Sequence, residues 1–224
     1  MGRIANGQYQ GIVNFNEEQI KREREGKINY NKDYTNFIEE NFKFSDGRWV
    51  WKDQEYPKKD LMKRILSKWK AFRNKPTSKE EFDKNFDKIK NKVISLLDIT
   101  IISNWNQEEI KGIYDFVKPL LCGSTMLTTK TLHFFVPDLF VIIDRKMIFP
   151  NLKKELPSLP NDINNIDGKK YVNVLIYFKD ELNIAISNNI IRDIEDFRKQ
   201  NTETISGNPY TLCKIIDKIM TYKY

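Results

Sequence analysis

The chain has 224 residues, of which 40% are hydrophobic and 12% aromatic, enough apolar surface for a sizeable core and too much for a disordered segment. Its net charge is +7, and one histidine with two cysteines, Cys122 and Cys213, leaves almost no material for a Cys/His zinc site. No stretch approaches the length of a membrane span and no apolar leader opens the chain. The expectation is a cytoplasmic protein with no membrane partner, no metal and no other cofactor.

With 9 Gly and 8 Pro the chain has too few turn-formers for a loop-rich sandwich, and no repeat is visible, so the expected class is all-α with one small hairpin. Residues 1–14 read as a polar arm, 16–25 as a charged helix and 34–41 as a second helix. In FKFSDGRWVWKD, residues 42–53, Phe42 and Phe44 alternate before Asp46-Gly47, and Trp49 and Trp51 alternate after it. That pattern is a hairpin signal. Trp49 and Trp51 are candidate platforms for stacking an exposed base, and the structural alternative makes them a clamp over the helices.

From Asp60 to Asn74, Leu61, Ile65, Trp69 and Phe72 fall on one stripe of an amphipathic helix. The segment KKDLMKRILSKWKAFRNK, residues 58–75, holds eight basic residues against one acid, a local charge of +7 that leaves the rest formally neutral. Such a run favours an anionic partner, nucleic acid being the commonest, with Lys63, Arg64 and Lys68 as candidate contacts. The alternative is the solvated face of a Lys-rich protein.

Ser78 with Glu81 forms a capping box before a long helix through Phe82, Phe86, Ile89, Val93 and Leu97. Asn106 with Glu109 is a looser cap for a helix carrying Ile110, Ile113, Tyr114 and Val117. Residues 150–168 read as loop, punctuated by Pro157 and Pro160. Three further helices are expected. One runs through Tyr171, Leu175, Phe178 and Leu182, and one through Ile190, Ile191, Ile194 and Phe197. The last follows Asn208-Pro209 and carries Leu212, Ile215, Ile216 and Ile219. Residues 1–57 are taken as an N-terminal arm, helices and hairpin, and 58–224 as a helical domain.

The stretch from Leu120 to Arg145, LLCGSTMLTTKTLHFFVPDLFVIIDR, reads in a definite order. A tight turn at Gly123 opens a helix of about three turns. Pro137 ends it, and a short extended run, Val141 to Ile143, leads to Asp144 and a further helix. This order resembles the core of the helix-hairpin-helix DNA glycosylase superfamily. There a hairpin grips a DNA phosphate and a following Asp serves catalysis. Aligned back from Asp144, Leu120 matches the motif's Leu, and Cys122 and Ser124 stand at its two Gly positions. Met126 then stands where many members carry Lys. A shift of one residue restores Gly123 and puts Leu127 there instead.

The resemblance implies a two-lobed helical fold that binds double-stranded DNA and flips a base into a cleft. Gly123, Ser124 and Thr125 would approach a phosphate, with Lys130 and Arg145 beside them, and Asp144 would be catalytic. Without the motif's Lys no Schiff base forms, so a monofunctional glycosylase is implied, releasing a base without cleaving the strand. Trp105 and Tyr114 join Trp49 and Trp51 as pocket candidates by residue type.

Two residues also have plain structural readings. Asp144 is a natural helix N-cap, and His133 reads as a buried histidine bonded to a backbone carbonyl. The alternative function is a non-catalytic interaction module that keeps the helical core and binds a protein or a nucleic acid.

Overall fold

A computed structural model describes residues 30–46, 48–52, 57–72, 77–146, 148–187 and 211–213. The expected arm 1–14, the helix 16–25, Arg73 to Lys75, the helix from Ile190 to Phe197, the start at Asn208-Pro209 and the run Ile215 to Ile219 lie outside them. Among the described residues there are seven α-helices, two short 3-10 turns and one two-stranded hairpin.

Helix α1, Tyr30–Asn41, leads directly into strands β1, Phe42–Ser45, and β2, Arg48–Trp51. Phe42 pairs with Trp51, Phe44 with Trp49 and Ser45 with Arg48, so the chain reverses between Ser45 and Arg48. Asp46 has φ of 51°, the left-handed backbone that such tight hairpins require. The alternation puts all four aromatics on one face, where Phe42 and Trp51 have ring centroids 3.9 Å apart. The Trp51 indole N–H reaches across to the Phe135 carbonyl at 3.0 Å. The hairpin thus serves as a clamp on the helical core.

Helix α2, Lys59–Lys68, is shorter than the 60–74 expected. Lys70 turns left-handed at φ 53°, and the amides of Lys70 and Ala71 fold back onto the carbonyls of Ser67 and Leu66, each at 2.9 Å. This closure ends the helix. Its buried stripe is Met62, Ile65 and Leu66, rotated from the one expected, and Phe72 lies beyond its end.

Helix α3, Thr77–Val93, runs on as a 3-10 turn, Ile94–Leu96. Ser78 is buried inside α3 rather than capping it, and Glu81 bonds the Asn85 amide at 3.0 Å instead of closing a capping box. Helix α4, Gln107–Leu120, has the expected cap: the Asn106 side chain accepts from the amides of Glu108 and Glu109 at 3.0 and 3.3 Å.

Helix α5, Thr125–Phe135, is the axis of the molecule, since every residue in it except Met126 is buried. Helix α6, Ile148–Glu155, forms where a loop was expected. Pro150 sits near its start, where a missing N–H removes no intrahelical bond. A 3-10 turn, Ile163–Asn165, precedes α7, Gly168–Ser187, which buries Tyr171, Leu175, Phe178 and Leu182 as expected. A single apolar cluster extends from Tyr34 to Cys213, so α1 and the hairpin pack into the same core as the residues after 57. Among the described residues no helix is long and apolar enough to cross a membrane.

Candidate nucleic-acid interface and catalytic aspartate

Helices α4 and α5 are joined by a four-residue hairpin, 121–124. The amides of Leu121 and Gly123 both donate to the Lys118 carbonyl, at 3.1 and 2.9 Å, and the Ser124 amide donates to Leu121 at 3.2 Å. Cys122 and Gly123 are both left-handed, with φ of 57° and 68°. Cys122 stands at one of the positions the resemblance assigns to glycine, and its backbone adopts the conformation in which glycine is least strained. A Cβ built on Gly123 would meet nothing within 4 Å, so the hairpin tip faces open space.

Ser124 caps α5, its hydroxyl accepting the Leu127 amide at 3.3 Å. The hairpin amides of Leu121, Gly123 and Ser124 are thus engaged internally. The first-turn amides of Thr125 and Met126 have no intrahelical acceptor and point to where an anion would sit.

Two expected phosphate contacts point inward instead. The Thr125 hydroxyl is fully buried, donates to the Ile163 carbonyl at 2.8 Å and accepts from the Tyr114 hydroxyl at 3.2 Å. Burial pushes the Tyr114 phenol well above its ordinary pKa. Lys118 lies beside them, its ammonium bonded to the carbonyls of Asn164 and Ile166 at 2.5 and 2.6 Å, and burial lowers its pKa. Lys130 is only 7% exposed, and its Nζ donates to the Trp69 carbonyl at 2.9 Å while lying 5.7 Å from that indole's ring centre. The cause is the same for Thr125 and Lys130: α5 is enclosed on every side, so neither side chain is free to reach a phosphate.

Asp144 is half-buried. Its Oδ1 accepts the Lys146 amide at 2.8 Å and its carbonyl accepts the Phe149 amide at 2.9 Å, closing the turn that leads into α6. These bonds shape a local turn that stands four residues ahead of α6, and not the helix N-cap expected of Asp144. The preceding residues, Phe140 to Ile143, are buried and, among the described residues, belong to no helix and no sheet. Side chains bond the backbone there instead. His133 Nδ1 donates to the Phe140 carbonyl at 2.7 Å, and the Tyr171 hydroxyl donates to the Val141 carbonyl at 2.8 Å. The Ile143 amide donates to Thr129 Oγ1 at 3.2 Å. A buried backbone group needs such partners, and nothing in the residue order announced which side chains would supply them.

His133 is thus the carbonyl-bonded histidine expected. With its proton on Nδ1, Nε2 accepts from the Tyr34 hydroxyl at 3.0 Å, and Tyr34 in turn accepts from Thr211 at 2.6 Å. A ring so engaged is a structural link, not a general base.

The remaining expected residues divide. Trp49 is buried and Trp51 half-buried under the clamp, so neither is a stacking platform. Trp105 bonds the Ile101 carbonyl at 2.9 Å and packs beneath the Lys179 ammonium. On α2, Arg64 and Lys68 are exposed, while Lys63 is paired with Asp83. Arg145 is exposed and pairs with Asp162 at 3.4 Å. Among the described residues no group of three or more His, Cys, Asp or Glu is placed to hold a metal ion. Comparison with known families, with characterised proteins and with solved structures gives no match for this chain.

Proposed function

We propose that the chain binds double-stranded DNA at the hairpin 121–124 and releases a base through Asp144, as a monofunctional glycosylase. One observation carries this reading. The segment ending in Asp144 is hydrogen-bonded, through Ile143 and Thr129, to the same helix that the hairpin opens. A carboxylate and a phosphate-facing helix start are thereby held as parts of one framework.

In this reading the first-turn amides of Thr125 and Met126 receive a phosphate, helped by the positive end of the α5 dipole. Exposed Arg64, Lys68 and Arg145 add sequence-independent attraction. As the bond from C1′ to the base breaks, the base leaves with the electron pair and positive charge develops on the sugar. Asp144 stabilises that charge and orients the water whose oxygen bonds to C1′. The water's proton leaves through the carboxylate. Met126 offers no amine, so no covalent intermediate forms on the protein.

A second reading is favoured by a specific observation. The amides of Gly123 and Ser124 are bonded inside the hairpin, and Thr125 and Lys130 are buried, which weakens the phosphate grip. A non-catalytic module that keeps the helical core fits those facts. Base release from duplexes carrying a panel of altered bases, measured with wild type and with Asp144→Asn, separates the two.

A further inference from the structure

The buried segment before Asp144 lies outside every described helix and strand. Phe140 to Ile143 are buried, yet these residues belong to no sheet. His133 and Thr129, both from α5, and Tyr171 from α7 bond its backbone. Of the three, Thr129 bonds closest to Asp144, at the residue immediately before it.

The Thr129 hydroxyl makes two bonds. Its oxygen accepts the Ile143 amide at 3.2 Å, and its proton goes to the Met126 carbonyl at 3.3 Å. Met126 lies in the first turn of α5, one residue after the buried Thr125 and close behind the hairpin. One hydroxyl therefore ties the helix start to the backbone that carries the carboxylate. No covalent link or sheet register does this job.

We infer that Thr129 is a positioning residue, which fixes Asp144 relative to the hairpin and the DNA phosphate it would hold. The inference deepens the proposed excision and rests on that reading for its catalytic consequence. Its geometric content stands on the two hydrogen bonds alone. Valine at 129 keeps the branched shape but has no hydroxyl, so the Ile143 amide would be left buried without its acceptor. Serine keeps the hydroxyl and drops a methyl group.

The test compares wild type, Thr129→Val and Thr129→Ser, each as the full chain. Hydrogen exchange at the Ile143 amide and the NMR chemical shifts of Asp144 read the geometry without any need for activity. Single-turnover base release and duplex affinity read the consequence. Thr129→Val is expected to speed exchange at Ile143 and move the NMR chemical shifts of Asp144. It should slow release by about a hundredfold, the cost of misplacing a catalytic group by about 1 Å, with affinity within about twofold of wild type. Thr129→Ser should restore all of these.

Unchanged Ile143 exchange and unchanged Asp144 chemical shifts in Thr129→Val would overturn the positioning role. So would the same two changes appearing in Thr129→Ser, which would mark a packing effect of the methyl group. Absence of release by wild type overturns the excision reading instead, leaving the exchange and chemical-shift results to decide the role of Thr129.

Discussion

The carboxylate of Asp138, buried in the turn after α5, accepts the backbone amide of Trp49 on β2 at 2.8 Å. Its second oxygen accepts the Leu212 amide at 2.9 Å. A single side chain therefore pins both the hairpin and the segment at 211–213 to the centre of the fold. Asp138→Ala would leave two buried amides without this acceptor and should cost about 3 kcal/mol of stability. Urea unfolding followed by tryptophan fluorescence measures it. A variant as stable as wild type would show that water or a rearranged partner replaces the carboxylate.

Lys130 offers a contrast between a structural and a nucleic-acid role. Its ammonium lies at the C-terminal end of α2, where the helix carbonyls are electron-rich and a cation is favoured. Lys130→Met should lower stability by about 1–3 kcal/mol and leave DNA affinity and its salt dependence unchanged. A reduced salt slope in a binding titration would return Lys130 to the interface.

On α2 the three basic candidates are not equivalent. Arg64 and Lys68 are exposed, whereas Lys63 is engaged with Asp83. Replacing Arg64 and Lys68 together with glutamine should weaken binding to all duplexes and lower the salt slope by about 0.9 for each phosphate that is no longer neutralised. Adding Lys63→Gln should change the slope little further. Fluorescence anisotropy across a salt series checks both statements.

The start of α7 is held by a close approach. The Gly168 amide donates to Asp115 at 2.7 Å, and a Cβ at 168 would lie 2.5 Å from the Lys111 carbonyl and 2.7 Å from the Asp115 carboxylate. Gly168→Ala should therefore destabilise by about 1–3 kcal/mol, visible as a lower thermal midpoint.

The neighbouring Asp167 has its pKa lowered. Burial works against its charge, but bonds from the Lys170 ammonium and amide outweigh that effect. With the folded value below the unfolded one, its contribution is present above the unfolded pKa and fades as pH falls through the folded value, below about pH 4. The carboxylate is largely exposed, so salt should blunt the effect. Asp167→Asn should flatten the acid side of a stability-versus-pH curve at low salt.

Periodicity made most of the helices legible. Ile110, Ile113, Tyr114 and Val117 face the core as their spacing implied, and the Asp-Gly signal located the hairpin. Within 120–145 the turn and the helix of about three turns form as read, the segment before Asp144 lies outside every helix and strand, and the further helix begins at Ile148. Helix ends were harder, because Lys70 in a left-handed conformation stops α2 at a residue with no special propensity for it. Pro150 suggested a loop but sits near the start of α6, where it is tolerated.

The candidate site was less legible than the fold. Thr125 and Lys130 have residue types suited to phosphate, but α5 is enclosed all round, a fact no period-3.6 pattern within a single helix reveals. The backbone bonds made by Thr129 and Tyr171 depend on partners 14 and 30 residues away, so only the folded chain brings them together.

The most direct measurement is base release from duplexes carrying a broad panel of altered bases, sampled before and after hot alkali, with borohydride added in a parallel reaction. Wild type is expected to leave abasic sites that break only in alkali, with no protein–DNA adduct. Asp144→Asn should slow release by about a hundredfold or more while still binding the duplex. Strand breaks before alkali together with a trapped adduct would contradict the monofunctional route, and no release from any duplex would contradict the excision claim itself.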